Sequence, residues 1–195
     1  MNSNYSSDYT LFKKESEYYN KVSNNKFHQN SIPLKYKLVS SFNDGGTINI
    51  PLPTFFPIPI VSVDIDTNLF KNPIVNIEFK SLINYNSFIE IISPINPKLY
   101  APLNVIFQLT RSCNNGSKSL LKSWNYGHAS IPYSSNIIEN FNFVYCDKHP
   151  KPGNYVYSIE IVNANGSLLN PALNDTESCS IMSSTFSATA FESFA

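Results

Sequence analysis

The chain of 195 residues carries 14 acidic and 14 basic side chains, so its formal net charge is zero. This balance gives no general attraction for a nucleic-acid backbone or an anionic membrane surface, and we expect neither as a partner. Only 14% of the residues are charged, and 26 Asn and 27 Ser supply the polarity instead. A surface of amides and hydroxyls repels its copies weakly. The composition therefore favours an assembling protein over a freely diffusing enzyme.

Residues 1–31 differ in composition from the rest: they are rich in Asn and Ser and contain no Gly or Pro. We predict that they form an extended N-terminal arm. Six aromatic residues suit this arm for docking on another surface: Tyr5, Tyr9, Phe12, Tyr18, Tyr19 and Phe27. At about 3.3 Å per residue, the arm would span on the order of 100 Å. A disordered tail, or a strand added to the arm's own domain, is the alternative.

No targeting or membrane segment is predicted. The first 30 residues lack the continuous apolar region of a secretory signal. The longest apolar stretch, residues 48–65, is interrupted by Pro51, Pro53, Pro57 and Pro59, so it cannot form a membrane helix. We therefore expect the protein to be made in the cytoplasm, with no membrane partner.

From Ile32 onward, short runs rich in Ile, Val, Phe, Tyr and Thr are separated by Asn, Gly and Pro, a pattern typical of a β-sandwich or barrel. Period-2 alternation is clear in residues 75–79 and 61–66, where apolar and polar residues alternate. Nine strands are predicted: residues 34–42, 57–66, 73–81, 87–93, 104–112, 117–126, 138–147, 155–163 and 178–194. No sustained helix is expected.

Turns are predicted where Asn and Gly permit positive φ: residues 43–46, 114–116 and 165–166. The pair Asn115-Gly116 is the strongest hairpin signal. The prolines at 51–59 exclude a central strand, so this segment should be an edge or a crossing loop. Eight or nine strands in this length fit a jelly-roll β-sandwich. We therefore predict two parts, the arm at residues 1–31 and a jelly-roll domain at residues 32–195.

Three cysteines, Cys113, Cys146 and Cys179, stand 33 residues apart with no CxxC pair. An odd number cannot pair completely within one chain. They could be reduced, mostly buried thiols, or at least one could form an intermolecular cross-link in an extracellular assembly. A metal site has little support, because Cys146 with His149 supplies only half of a tetrahedral set.

Catalytic motifs are absent from the sequence, and we predict no enzyme, no metal and no cofactor. The histidines His28, His128 and His149 are scattered over the arm and loops, without HExxH, GxSxG or P-loop patterns. Asp64 and Asp66 share one face of a predicted strand, but no calcium-loop motif accompanies them. A solvated strand face is the simpler interpretation.

Several segments, in this order, resemble a family of small clostridial proteins of unassigned function. They are residues 63–67 (VDIDT), 72–79 (NPIVNIEF), 107–116 (FQLTRSCNNG), Trp124, 141–147 (FNFVYCD) and 155–161 (YVYSIEI). They resemble more loosely the subunits of endospore appendages in bacilli. The resemblance implies a jelly-roll subunit displayed on the spore surface, whose arm reaches into a neighbour. Appendage connectors carry cysteines, and this arm has none.

The combined expectation is a structural subunit that assembles with itself into a fibre or layer on the endospore surface, through the arm and by β-strand addition. The resemblance implies synthesis in the mother cell and adds other coat or exosporium proteins as partners. A Lys-Asn isopeptide bond is an alternative covalent link. The alternative function is a trimeric binding module of the tumour-necrosis-factor-like kind, which engages a glycan or protein partner.

Overall fold

The structure, a computed structural model, describes residues 38–88, 103–128, 135–148, 150–166 and 175–192. These residues form nine β-strands and no helix. The strands are β1 (Leu38–Gly45), β2 (Ile48–Ile50), β3 (Ile58–Asp66), β4 (Pro73–Phe88), β5 (Leu103–Cys113), β6 (Ser119–His128), β7 (Ser135–Lys148), β8 (Asn154–Asn165) and β9 (Thr176–Glu192). All belong to the unit Tyr36–Ala195.

Two antiparallel sheets form the sandwich. Sheet A has the order β1-β9-β4-β7, and β2 also pairs with β9; sheet B has the order β3-β8-β5-β6. Strands β2, β3, β4 and β5 alternate between sheet A and sheet B along the chain. The two sheets are therefore wound together as in a jelly roll. The predicted jelly-roll β-sandwich is confirmed. The predicted boundary between residues 31 and 32, and the arm itself, lie outside the described residues.

The chain reversal predicted at residues 43–46 is wrong, because β1 and β2, on either side of this segment, run in the same direction. Both pair antiparallel with β9, β1 from Leu38↔Phe191 to Gly45↔Ser184 and β2 from Ile48↔Ile181 onward. They therefore run in one direction along the same neighbour. The Gly45-Gly46 segment therefore interrupts the pairing along the edge of sheet A without reversing the direction of the chain.

A second correction concerns β4, which is one strand of 16 residues where two were predicted. Its second half contains Asn84 and Asn86, which resemble turn residues in the sequence. Alternate positions in this half, such as Ile83 and Tyr85, are nevertheless fully buried. The chain stays extended at the polar positions because it pairs with β7 on one side and with β9 on the other. The remainder of the predicted strand at 87–93 lies outside the described residues.

The core lies between the sheets and follows the predicted alternation. Val75, Ile77 and Phe79 of β4 are completely buried, and the Phe79 ring centre lies 6.2 Å from that of Phe107 on sheet B. Asp64 and Asp66 occupy the exposed face of β3. Burial of alternate apolar residues on two sheets is the main stabilising term of such a sandwich.

The hairpin predicted at Asn115-Gly116 connects β5 and β6, as expected. Asn114 and Asn115 have φ of 49° and 60°, and the Gly116 N–H donates to the Cys113 carbonyl at 2.8 Å. These values describe a two-residue turn with positive φ at both central positions. The two asparagines thus supply the left-handed backbone, while Gly116 follows them.

Among the described residues, there is no helix of the length and hydrophobicity that a membrane crossing would need.

Candidate interaction edge

The sandwich is closed along one side and ends in two outer strands along the other. On the closed side, β1 packs beside β3, and the Asn43 side-chain amide donates to the Ser62 carbonyl at 3.0 Å. On the other side, β6 is the last strand of sheet B and β7 is the last strand of sheet A. We call β6 and β7 together the open edge.

Aromatic rings fill the space between the sheets along the open edge. Trp124 of β6 stacks on Phe143 of β7, with ring centres 3.7 Å apart and planes 12° apart. Phe141 stacks on Phe107 at 4.5 Å, and Tyr145 meets Trp124 edge to face. Trp124, Phe141 and Tyr145 are only partly buried. These rings and Phe143 form an aromatic seam that continues from the core to the surface.

Strand β7 leaves one edge of sheet A without a strand neighbour in the described residues. All 14 of its residues pair with β4 without a register shift. The strand has no Pro or Gly, and residues 140–146 carry no charge. Its solvent face includes two exposed apolar side chains, Ile138 at 54% and Val144 at 63%. A long, regular edge with an uncharged centre is the kind that pairs readily with another strand.

The opposite outer strand of sheet B is protected by three features. Strand β3 contains Pro59, which cannot donate a backbone hydrogen bond, and a register shift between Pro59 and Val61. Asp64 and Asp66 place two charges on its exposed face. Proline, irregularity and charge are the usual means of blocking an edge strand. Of these two outer strands, β7 is therefore the more open template.

A polar cluster joins the two sheets near one end of the seam. Asp147 of β7 is 5% exposed, and its Oδ2 accepts from Arg111 Nη1 of β5 at 2.6 Å and from the Tyr157 hydroxyl at 2.8 Å. The Arg111 guanidinium also lies 5.5 Å from the centre of the Tyr155 ring. Both oxygen contacts are short enough for strong, charge-assisted hydrogen bonds.

Electrostatics in this cluster follow from burial and from the Asp147 carboxylate. Burial lowers the pKa of Arg111, but the hydrogen bond and charge of Asp147 outweigh it and raise that pKa overall. Burial, followed by the charge of Asp147, raises the pKa of Tyr157 well above its usual value. Burial and a hydrogen bond with Cys113 raise the pKa of Tyr155 to about 12. The cluster is thus a buried ion pair with neutral phenols, which fits a structural role.

A second polar contact lies at the other end of the seam, between β6 and β7. The His128 Nε2 lies 3.1 Å from Glu139 Oε2 and 3.1 Å from the Tyr126 hydroxyl. Burial, with contributions from the charges of Glu139 and Cys179, raises the pKa of Tyr126 to about 12. His128 therefore connects the two outer strands. His28 and His149 lie outside the described residues.

The three cysteines are free thiols in different environments. Cys146 is exposed on the solvent face of β7, Cys113 is partly buried, and Cys179 is buried. Burial, aided by the charge of Glu177, raises the pKa of Cys179 to about 12. Of the three predicted cross-linking residues, Cys146 is the one whose position gives a neighbouring chain access. The six predicted docking aromatics, Tyr5, Tyr9, Phe12, Tyr18, Tyr19 and Phe27, lie outside the described residues.

Within the described ranges, no three His, Cys, Asp or Glu side chains come together as a metal site. The open edge is not predictable from the sequence, because strand order decides which strands are outermost. One signal was available in the sequence: residues 140–146 form an uncharged run, rich in aromatic and amide residues, within a predicted strand.

A family model described as a domain of unknown function, DUF4489, matches residues 45–190. No curated protein sequence matches the chain significantly. Solved structures of similar fold include the following three. The Eiger TNF of S. frugiperda shares 10% identity with a TM-score of 0.42, and the match covers 81% of this chain and 94% of that one.

The other two structures are of infectious bursal disease virus. The Gx strain structure shares 9% identity with a TM-score of 0.40, covering 80% of this chain and 32% of that chain. The VP2 subviral particle shares 9% identity with a TM-score of 0.37, covering 88% and 42%. The present chain thus spans less than half of each viral chain.

Proposed function

We propose that this chain, which belongs to the DUF4489 family, is a structural subunit that assembles with itself. Its place would be a fibre or layer on the surface of an endospore, with other coat or exosporium proteins as further partners. Neighbouring subunits would be joined by docking of the arm at residues 1–31 and by β-strand addition at the open edge. The location on the spore rests on the resemblance to clostridial and appendage proteins.

One observation carries the proposal: β7 is a 14-residue outer strand with a regular register and an uncharged centre. Such an edge leaves a row of backbone N–H and C=O groups able to pair with a strand of another chain. Strand β3, by comparison, is blocked by Pro59, a register shift and two aspartates. An unblocked edge of this length is what a strand-adding subunit would offer to its neighbour.

Negative-stain electron microscopy of the purified full chain, beside a chain lacking residues 1–31, tests the proposal. We expect fibres or sheets from the full chain and only small particles from the truncated chain. Each sample is imaged with and without reductant, because survival of the assemblies in reductant would exclude disulfides as the essential link. Uniform small particles from both chains would contradict self-assembly.

The aromatic seam favours a second candidate, a closed trimer that acts as a binding module. Partly buried rings such as Trp124 and Tyr145 suit a packed side-chain interface. A closed trimer should survive removal of residues 1–31. Light scattering on both chains distinguishes the two functions: a trimeric mass for each supports the binding module, and larger assemblies of the full chain alone support the fibre.

A further inference from the structure

We propose that β7 is a self-pairing strand: two copies of this chain join their β7 strands antiparallel about a two-fold axis, so that sheet A continues from one copy into the next. The inference rests on the proposed function, because it specifies one of the contacts through which the subunits would assemble. It follows from the distribution of side chains along β7.

Two-fold pairing restricts which residues can face each other. Directly opposed residues in an antiparallel pair point to the same side of the sheet. The sequence numbers of two opposed β7 residues must therefore differ by an even number. One residue then lies opposite its own copy. Placing Phe141 on the axis pairs residues 135–147, which is all but the last of the 14 residues of β7.

In this register the exposed apolar side chains cover each other. Ile138 and Val144 lie on the same solvent face, three positions either side of Phe141. Ile138 of one copy therefore lies opposite Val144 of the second copy, and the pair occurs twice. Asn140 lies opposite Asn142 of the second copy, so amides meet amides. Directly opposed side-chain pairs of this kind stabilise an antiparallel pairing.

The charged residues are also compatible with this register. Glu139 faces Phe143 of the second copy, Asp147 faces Ser135, and Lys148 lies beyond the paired segment. No two like charges are directly opposed.

Neighbouring registers fit less well. Centring the axis on Asn142 places Ile138 opposite Cys146 and Val144 opposite Asn140, which separates the two apolar residues. Centring it on Phe143 brings Glu139 opposite Asp147, and opposed like charges are destabilising. The axis at Phe141 is therefore favoured over these two registers.

The backbone contribution is large enough for a specific contact. Alternate pairs of an antiparallel ladder exchange two hydrogen bonds, so this register would form about 12–14 of them. A typical protein interface has about 10 direct hydrogen bonds. The unshifted pairing of β7 with β4 keeps the donors and acceptors of the free edge regularly spaced.

Cross-linking tests the register in the full chain. Asn136 lies opposite Cys146 of the second copy in the proposed register, so Asn136→Cys should give a disulfide-linked dimer on mild oxidation, read on a non-reducing gel. Ile138→Cys is the matched variant, because residue 138 faces Cys146 only when the axis is at Asn142. We expect at least a fivefold higher dimer yield from Asn136→Cys, and none when Cys146→Ser is added. Equal yields from both variants, or none, would overturn the proposal.

Two charge variants in the Asn136→Cys chain test the contact itself. Asn140→Glu with Asn142→Glu places like charges opposite each other, whereas Asn140→Lys with Asn142→Glu places opposite charges there. Both positions are exposed, and both variants carry the same Asn142→Glu opposite Lys80 of β4, so the effect of that substitution on folding is shared. We expect the cross-link yield to fall at least tenfold in the first variant and to recover in the second. Equal yields in the two variants would contradict the pairing.

The two proposals can fail separately. Fibres from the full chain without the Asn136→Cys cross-link would overturn β7 self-pairing and leave the assembling function in place. A cross-linked dimer that forms no fibre or layer would support β7 self-pairing and contradict the proposed function. Like charges on the other outer strand, Ser123→Glu with Asn125→Glu, provide the control: if they lower the yield as much as the like charges on β7, the contact is not specific to β7.

Discussion

Substitution of Asp147 by Ala should be strongly destabilising, because Asp147 is the buried carboxylate that joins the two sheets. Its Oδ2 accepts from Arg111 at 2.6 Å and from the Tyr157 hydroxyl at 2.8 Å, and the residue is 5% exposed. Removing the carboxylate leaves the Arg111 charge without its ion-pair partner and removes the acceptor of the Tyr157 hydroxyl.

The size of the loss can be estimated from these contacts. Loss of one partner of a buried ion pair costs about 3–5 kcal/mol. The Arg111 side chain is 26% exposed, so solvent screens its charge in part and the lower value of about 3 kcal/mol applies. The buried hydroxyl of Tyr157 adds about 1 kcal/mol when its acceptor is removed. We therefore expect the free energy of unfolding to fall by about 4 kcal/mol.

Urea unfolding followed by fluorescence measures this change directly. Trp124 is the only tryptophan in the chain and stacks on Phe143, so its emission should report separation of the sheets. Asp64→Ala is the matched control, because Asp64 is exposed on β3, and it should change the unfolding free energy by less than about 0.5 kcal/mol.

A second variant separates charge from packing. Arg111→Met, Asp147→Leu and Tyr157→Phe together replace the polar cluster with apolar side chains of similar size, and such replacements are often nearly neutral. We expect this triple variant to lose less than half of what Asp147→Ala loses. If Asp147→Ala costs less than about 1 kcal/mol, or if the triple variant loses as much, the reasoning from a buried charge is wrong.

Three further changes should have measurable effects on the unfolding free energy. The pKa of Cys179 rises from 9.0 to about 12 through burial and the charge of Glu177, so the stability that its neutral thiol provides is complete below pH 9 and is lost as the pH rises towards 12. As the pH is raised from 8 to 10.5 in reductant, the unfolding free energy of Cys179→Val should therefore rise by about 2 kcal/mol relative to that of the parent chain. A difference between the two chains that does not change with pH would refute this. Asn115→Val should lose about 1–2 kcal/mol in urea unfolding, because φ of 60° is unfavourable for a β-branched residue, whereas Asn115→Gly should lose little. Gly127→Ala should lose about 1–3 kcal/mol, because its Cβ would lie 2.3 Å from the Leu103 carbonyl oxygen; an unchanged midpoint would show that the backbone moves freely there.

Strands with clear alternation were predictable from the sequence. The strand predicted at 57–66 is β3, Ile58–Asp66, and the hairpin at Asn115-Gly116 lies between β5 and β6. In both cases the signal is local: apolar residues two apart define a buried face, and Asn tolerates positive φ.

Long-range pairing explains the two errors. Residues 82–87 contain Asn and Ser and resemble a loop by composition, yet β7 and β9 pair on both sides of them and extend β4 to Phe88. Gly45-Gly46 has the composition of a turn, yet β9 provides pairing partners before and after it. Partners at least 48 residues away in the sequence decide both outcomes, and no local pattern contains them.

The candidate edge depended on the same long-range information. The sequence predicted a strand at 138–147 and identified Cys146 as a possible cross-linking residue, but it could not place that strand outermost in its sheet. The polar cluster of Arg111, Asp147 and Tyr157 was also beyond prediction, because its members come from three strands in two sheets. Their sequence neighbours give no sign that they meet.

The two proposed contacts have different symmetries, and the difference determines what can be built. Self-pairing of β7 is isologous: it uses the same surface on both copies and is satisfied when two copies have joined. Alone, it would give a closed dimer. Docking of the arm on a neighbour would be heterologous, because the donor and acceptor surfaces differ, and such contacts continue without limit when they do not close into a ring. A fibre or layer would therefore need both contacts, with the β7-paired dimer as its repeating unit and one arm from each copy leading to the next dimer.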